Sequence, residues 1–109
     1  MTAPSREPSV GDIPPSVLTV LREVLARHPS VRAAILFGSR AKGCARPGSD
    51  IDLALEGEIP IDELARIAAD LDARDLPWEV DLVRLSAVRD PDVREHVARV
   101  GVSLYRNRV

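Results

Sequence analysis

The stretch from Val31 to Phe37 (VRAAILF) is short, largely apolar and stops at Gly38; after a turn-rich segment, Asp50-Ile51-Asp52-Leu53-Ala54-Leu55-Glu56 alternates without a break. The first pattern predicts a buried strand. The second predicts a strand with a dry face of Ile51, Leu53 and Leu55 and a wet face carrying Asp50, Asp52, Ala54 and Glu56. Such a chain must build a sheet and cover its dry side.

The flanking segments supply the cover. Val17, Leu18, Leu21, Val24, Leu25 and His28 recur at helical spacing behind Pro14-Pro15, and His28-Pro29 ends that helix. Gly57 to Pro60 break the chain. Ile61, Leu64, Ile67, Ala68 and Leu71 then mark a second amphipathic helix that ends near Arg74. Trp78 to Arg84 alternates again, with Trp78, Val80 and Leu82 on one face and Glu79, Asp81 and Val83 on the other. Asp90-Pro91 caps a third helix, along which Val93, Val97 and Val100 face inward until Gly101 closes it. The C-terminal VSLYRNRV reads as a short strand or a docked tail. The order predicts an α/β (α+β) sandwich. At 109 residues there is room for one core, assigned to residues 14–109, with residues 1–13 as a flexible tail.

Composition narrows the function. A net charge of -2 and a single Phe, Tyr and Trp give neither a basic face nor an aromatic platform for a nucleic acid strand, so direct nucleic-acid binding is not expected. Lys42 is the only Lys among 15 basic residues. Cys44 stands alone, excluding an internal disulfide and fitting a reducing compartment. No run reaches membrane-spanning length, and the expected location is cytoplasmic. His28 and His96 fall on helices without evident ligand partners, which assigns them helix-surface or capping roles; Trp78 and Tyr105 are assigned to the core or an interface.

Chemistry concentrates around the second strand. Residues two apart in a strand share a face at roughly 6.5–7 Å, so Asp50 and Asp52 repel each other unless a cation lies between them. Mg²⁺ takes oxygen ligands and leaves positions for substrate phosphates, and paired ions can serve the attacking and the leaving oxygen. A bare pair of aspartates also suits the wet face of any strand. The preceding turn adds the second half of the pattern: Gly38 lets phosphate approach the backbone, Ser39 offers a hydroxyl and consecutive amides can cradle an anion. Arg40 and Lys42 are candidates for charge-assisted phosphate contacts. Asp81 and Glu79 share the polar face of a neighbouring strand, and Asp81, further into it, is the preferred third carboxylate. Gly43 to Ser49 mimics the glycine spacing of a P-loop, but lacks the Lys before Ser and precedes a strand instead of a helix.

Gly38-Ser39-Arg40-Ala41-Lys42-Gly43, followed by Ser49-Asp50-Ile51-Asp52-Leu53, resembles the GSRAxG…SDIDL signature of the DNA polymerase β-like nucleotidyltransferase superfamily, in its minimal (MNT, MntA-like) branch. The resemblance spans about Pro15 to Tyr105. It implies a small mixed β-sheet flanked by helices, two Mg²⁺ ions held by Asp50, Asp52 and Asp81, and triphosphate contacts from Gly38 and Ser39. It further implies in-line attack of an acceptor hydroxyl on the α-phosphate of ATP. Lys42 stands where many relatives carry Arg, which keeps the charge but loses bidentate geometry.

A site this complete on so short a chain leaves no second domain to hold an acceptor. By resemblance the acceptor is a tyrosine of a HEPN-domain toxin, with this chain as the antitoxin that adds AMP. The alternatives are a binding module that neutralises its partner by occlusion, and a subunit that transfers a nucleotide to a small molecule.

Overall fold

The computed structural model describes residues 13–38 and 50–107. Ser39, Arg40, Lys42 and Cys44, together with nearly all of the expected tail, lie outside the described residues. Ile13, assigned to the tail by its sequence, is 6% exposed and belongs to the core.

Along the chain come α1 (Pro15–Ala26), β1 (Ala33–Phe37), β2 (Ile51–Glu56), α2 (Ile61–Asp72), β3 (Val80–Arg84), a short 3₁₀ turn (Leu85–Ala87), α3 (Pro91–Val100) and β4 (Val102–Arg106). The sheet order is β3-β2-β1-β4. β1 runs antiparallel to both β2 and β4, whereas β2 and β3, joined through α2, are parallel. The sheet is therefore mixed and flanked by helices, and the C-terminal segment is a strand paired with β1.

Strand alternation divides the sheet. Leu36, Ile51, Leu53 and Leu55 have no exposed surface and pack with Val17, Leu18, Leu21, Val24 and Leu25 of α1 and Ile67 and Leu71 of α2. This single cluster is the main core. Ile35 points to the opposite face, where α3 lies across part of the sheet. Gly101 ends α3 there with φ -68, an ordinary backbone conformation, so the left-handed turn expected of a closing glycine is not formed. Space is what excludes a side chain: a Cβ at Gly101 would strike Ile35 Cγ2 and the Val97 carbonyl oxygen. Of the three valines expected inward on α3, Val97 is buried, Val100 is half-buried and Val93 is exposed. Asp90 caps the helix as expected, accepting from the Asp92 amide at 2.9 Å.

His28 departs from its expected role. It is 7% exposed and bridges two carboxylates of α2, with Nδ1 against Glu63 Oε2 and Nε2 2.7 Å from Asp70 Oδ2. The partners come from a helix more than thirty positions onward, which helical spacing on α1 could not reveal. Burial disfavours the charged imidazole, but hydrogen bonds and charge from Glu63 and Asp70 outweigh it and hold the pKa above the usual histidine value. A pKa raised by folding contributes stability that is fully present below the unfolded value, about 6.5, and is lost as pH rises through the folded value. Urea unfolding from about pH 6 to about pH 9 is expected to show this decline in the wild type and a flatter profile in His28→Gln, with a cost of about 1–3 kcal/mol at the acid end.

Candidate active site

The dry face of β2 dictates where its carboxylates go. With Ile51, Leu53 and Leu55 committed to the core, Asp52 must project from the opposite face, and Asp50 precedes the strand in the same alternation. β2 pairs with β1 so that Asp52 stands level with Phe37, the residue before Gly38. It pairs with β3 so that Asp52 stands level with Asp81. Residues in register on neighbouring strands share a face at about 4.8 Å, which sets Asp81 beside Asp52. Gly38, Asp50, Asp52 and Asp81 thus meet at one end of the sheet. Glu79 precedes β3 and is exposed.

Gly38 has φ +80, a conformation that favours glycine, and a Cβ built there would lie 2.5 Å from Asp52 Oδ2. The turn and the carboxylate therefore touch, with no side chain between them. Spacing along the sequence suggested that these two features cooperate; the antiparallel register supplies the contact.

The electrostatics follow from this crowding. Burial raises the Asp52 pKa above the usual carboxylate value, and the charges of Asp81 and Asp50 raise it further. Asp52 is half-buried, while Asp50 and Asp81 are exposed. Among the described residues, no three His, Cys, Asp or Glu side chains already form a group arranged to hold a metal ion. A ready-made protein cage is not what Mg²⁺ requires, because it commonly takes one or two carboxylates together with substrate phosphates and water. Asp52 and Asp81, in register on one face, offer oxygen donors of the kind such an ion takes.

A profile of the polymerase β nucleotidyltransferase family matches residues 20–108. This chain belongs to that family. The nucleotidyltransferase is 37% identical over 93 residues to the probable protein adenylyltransferase MntA of Haemophilus influenzae, covering 84% of this chain and 81% of that protein. Its fold is similar to a toxin–antitoxin crystal structure with AMP-PNP, at a TM-score of 0.69 and 24% identity, over 84% of this chain and 74% of the other. It is also similar to a chain of the complex of a tri-AMPylated Shewanella oneidensis HEPN toxin with its MNT antitoxin, at a TM-score of 0.56 and 23% identity, over 84% and 68% of the two chains. These two likenesses concern the fold; the family match and the MntA relative make the chain an MntA-like nucleotidyltransferase and an enzyme. No helix among the described residues is long and apolar enough to cross a membrane.

The contact between Gly38 and Asp52 is open to a simple test. Gly38→Ala is expected to lower stability by about 1–2 kcal/mol through its left-handed backbone, and to weaken nucleotide binding by displacing the Asp52 carboxylate. Thermal melting and nucleotide titration of the same sample measure both effects. Unchanged melting and binding would contradict the assigned contact.

Proposed function

We propose that this nucleotidyltransferase transfers AMP from ATP to a hydroxyl, a tyrosine hydroxyl in the first instance, of a HEPN-domain partner protein, and acts as the antitoxin of that pair. The observation that carries the reading is the alignment of Asp52 with Asp81 beside Gly38, on a chain with no further domain among its described residues to hold an acceptor. The MntA relative is named as a protein adenylyltransferase, and the Shewanella complex pairs an MNT antitoxin with a HEPN toxin that carries AMP.

In the proposed reaction the acceptor oxygen forms a bond to the α-phosphorus, the bridging bond to the β-phosphate breaks, and pyrophosphate leaves. Asp50, Asp52 and Asp81 are the residues that would hold Mg²⁺, which would neutralise charge at the phosphates and lower the pKa of the acceptor hydroxyl. Gly38 and Ser39 receive the triphosphate, with Arg40 and Lys42 as cationic support from the same turn. The exposed carboxylate of Asp81 takes the hydroxyl proton and returns it to water. Asp52, crowded and partly withdrawn from solvent, is the fixed member of the set.

Incubation with ATP, Mg²⁺ and the product of the adjacent gene, followed by intact-mass analysis, tests the reading. The partner is expected to gain AMP, and Asp50→Asn or Asp52→Asn to slow that gain by about 100-fold or more, the scale on which one electrostatic contact to a transition state acts. A partner silenced equally well by both variants, without a change in mass, would instead make the chain a protein that works by occlusion.

A further inference from the structure

The sequence pattern assigns Ile61, Leu64 and Ala68 to the inward face of α2, but the structure leaves part of that stripe uncovered. Ile61 is 65% exposed, and Ala65 and Ala68 are open to solvent. Among the described residues β3 is paired with β2 alone and forms an edge of the sheet. Between the helix and that edge runs an open groove of about 280 Å³ lined by Ile61, Leu64, Ala65, Ala68, Val80 and Leu82. Asp81 stands at its margin, so the apolar groove leads into the candidate active site.

Charge surrounds the groove unevenly. Residues 56 to 81 contain nine Asp or Glu against two Arg, while the whole chain has a net charge of only -2. Two of the nine, Glu63 and Asp70, are engaged by His28. Asp72, Asp75 and Glu79 line an adjoining hollow that shares Ala68 and Val80 with the groove, and Asp62, in an ion pair with Arg66 at 3.4 Å, lies next to Ile61 on the first turn of α2. The surface is an apolar strip bordered by carboxylates. Complementarity selects a partner that is apolar at its centre and cationic at its edges.

We infer that the groove between α2 and β3 is where the acceptor protein docks, through a segment whose apolar residues cover Ile61 and whose Arg or Lys side chains meet the acidic border. The inference rests on the reading of a protein acceptor. It adds the direction of approach, along β3 toward Asp81, and gives the exposed Ile61 a covering partner.

Ile61 and Asp72 are exposed and take no part in the nucleotide site, so their substitution leaves the fold in place. Calorimetry with the product of the adjacent gene compares the full wild-type chain with Ile61→Lys and Asp72→Lys, alongside Mg²⁺-ATP binding and melting of each chain alone. Ile61→Lys is expected to weaken partner binding about tenfold or more. Asp72→Lys is expected to weaken it several-fold at low salt, with the difference fading at high salt. ATP binding and melting stay at wild-type values. Both variants binding the partner as tightly as the wild type would overturn the inference. So would self-association of the wild type that Ile61→Lys abolishes while partner binding is untouched, since a second copy would then occupy the groove. A wild-type chain that binds at the groove but transfers no AMP keeps the docking surface and contradicts the proposed reaction instead.

Discussion

β2 is the member of this fold whose position constrains the others, because it is paired on both sides and committed on one face. Ile51, Leu53 and Leu55 are wholly buried against the helices, and a slip of one residue in either pairing would turn them to solvent and drive the aspartates into the core. The antiparallel ladder to β1 and the parallel ladder to β3 are therefore locked by hydrophobic burial rather than by the polar face. That lock sets Asp52 against Gly38 on one side and level with Asp81 on the other. The geometry of the candidate site is a by-product of keeping the opposite face dry.

The same lock imposes an electrostatic cost. Asp52 cannot move away from Asp81 without breaking the register, and its partial burial removes water that would screen the repulsion. Proteins tolerate such strain where a ligand relieves it, and in the proposed reaction a divalent ion with a triphosphate would relieve it at this end of the sheet. The rest of the molecule compensates with ordinary means: a single aliphatic core, a capped α3 and the tie from His28 to α2.

Much of this could be read from the chain because the informative signals are local. The alternation in β2, the proline at the start of α1 and the Asp90 cap each depend on residues within one turn or strand, and the elements formed where those signals lie. Alternation likewise separated Asp50 and Asp52 from the core face of β2, but Ala54, assigned to the wet face with them, is buried. What could not be read depends on register or on distant packing. The level of Asp81 with Asp52 needs the parallel pairing; the partners of His28 lie on another helix; and Gly101 is required by the approach of Ile35, not by its own backbone. Ile61 illustrates the opposite error: its helical spacing assigns it to the core, but no described element covers the first turn of α2.

Burial, together with the charges of Asp81 and Asp50, makes the ionised Asp52 carboxylate costly, and in the proposed reaction a bound cation offsets that cost. Because its folded pKa is raised, the stability tied to the neutral form is present at low pH and lost as pH rises through the folded value. Thermal melting at neutral pH, without metal and then with increasing Mg²⁺, compares the wild type with Asp52→Asn. The variant is expected to melt higher than the wild type in the absence of metal and to gain nothing from Mg²⁺, while the wild type climbs as the ion is added. A wild type already as stable as the variant without metal, or a variant that gains as much from Mg²⁺ as the wild type does, would contradict it.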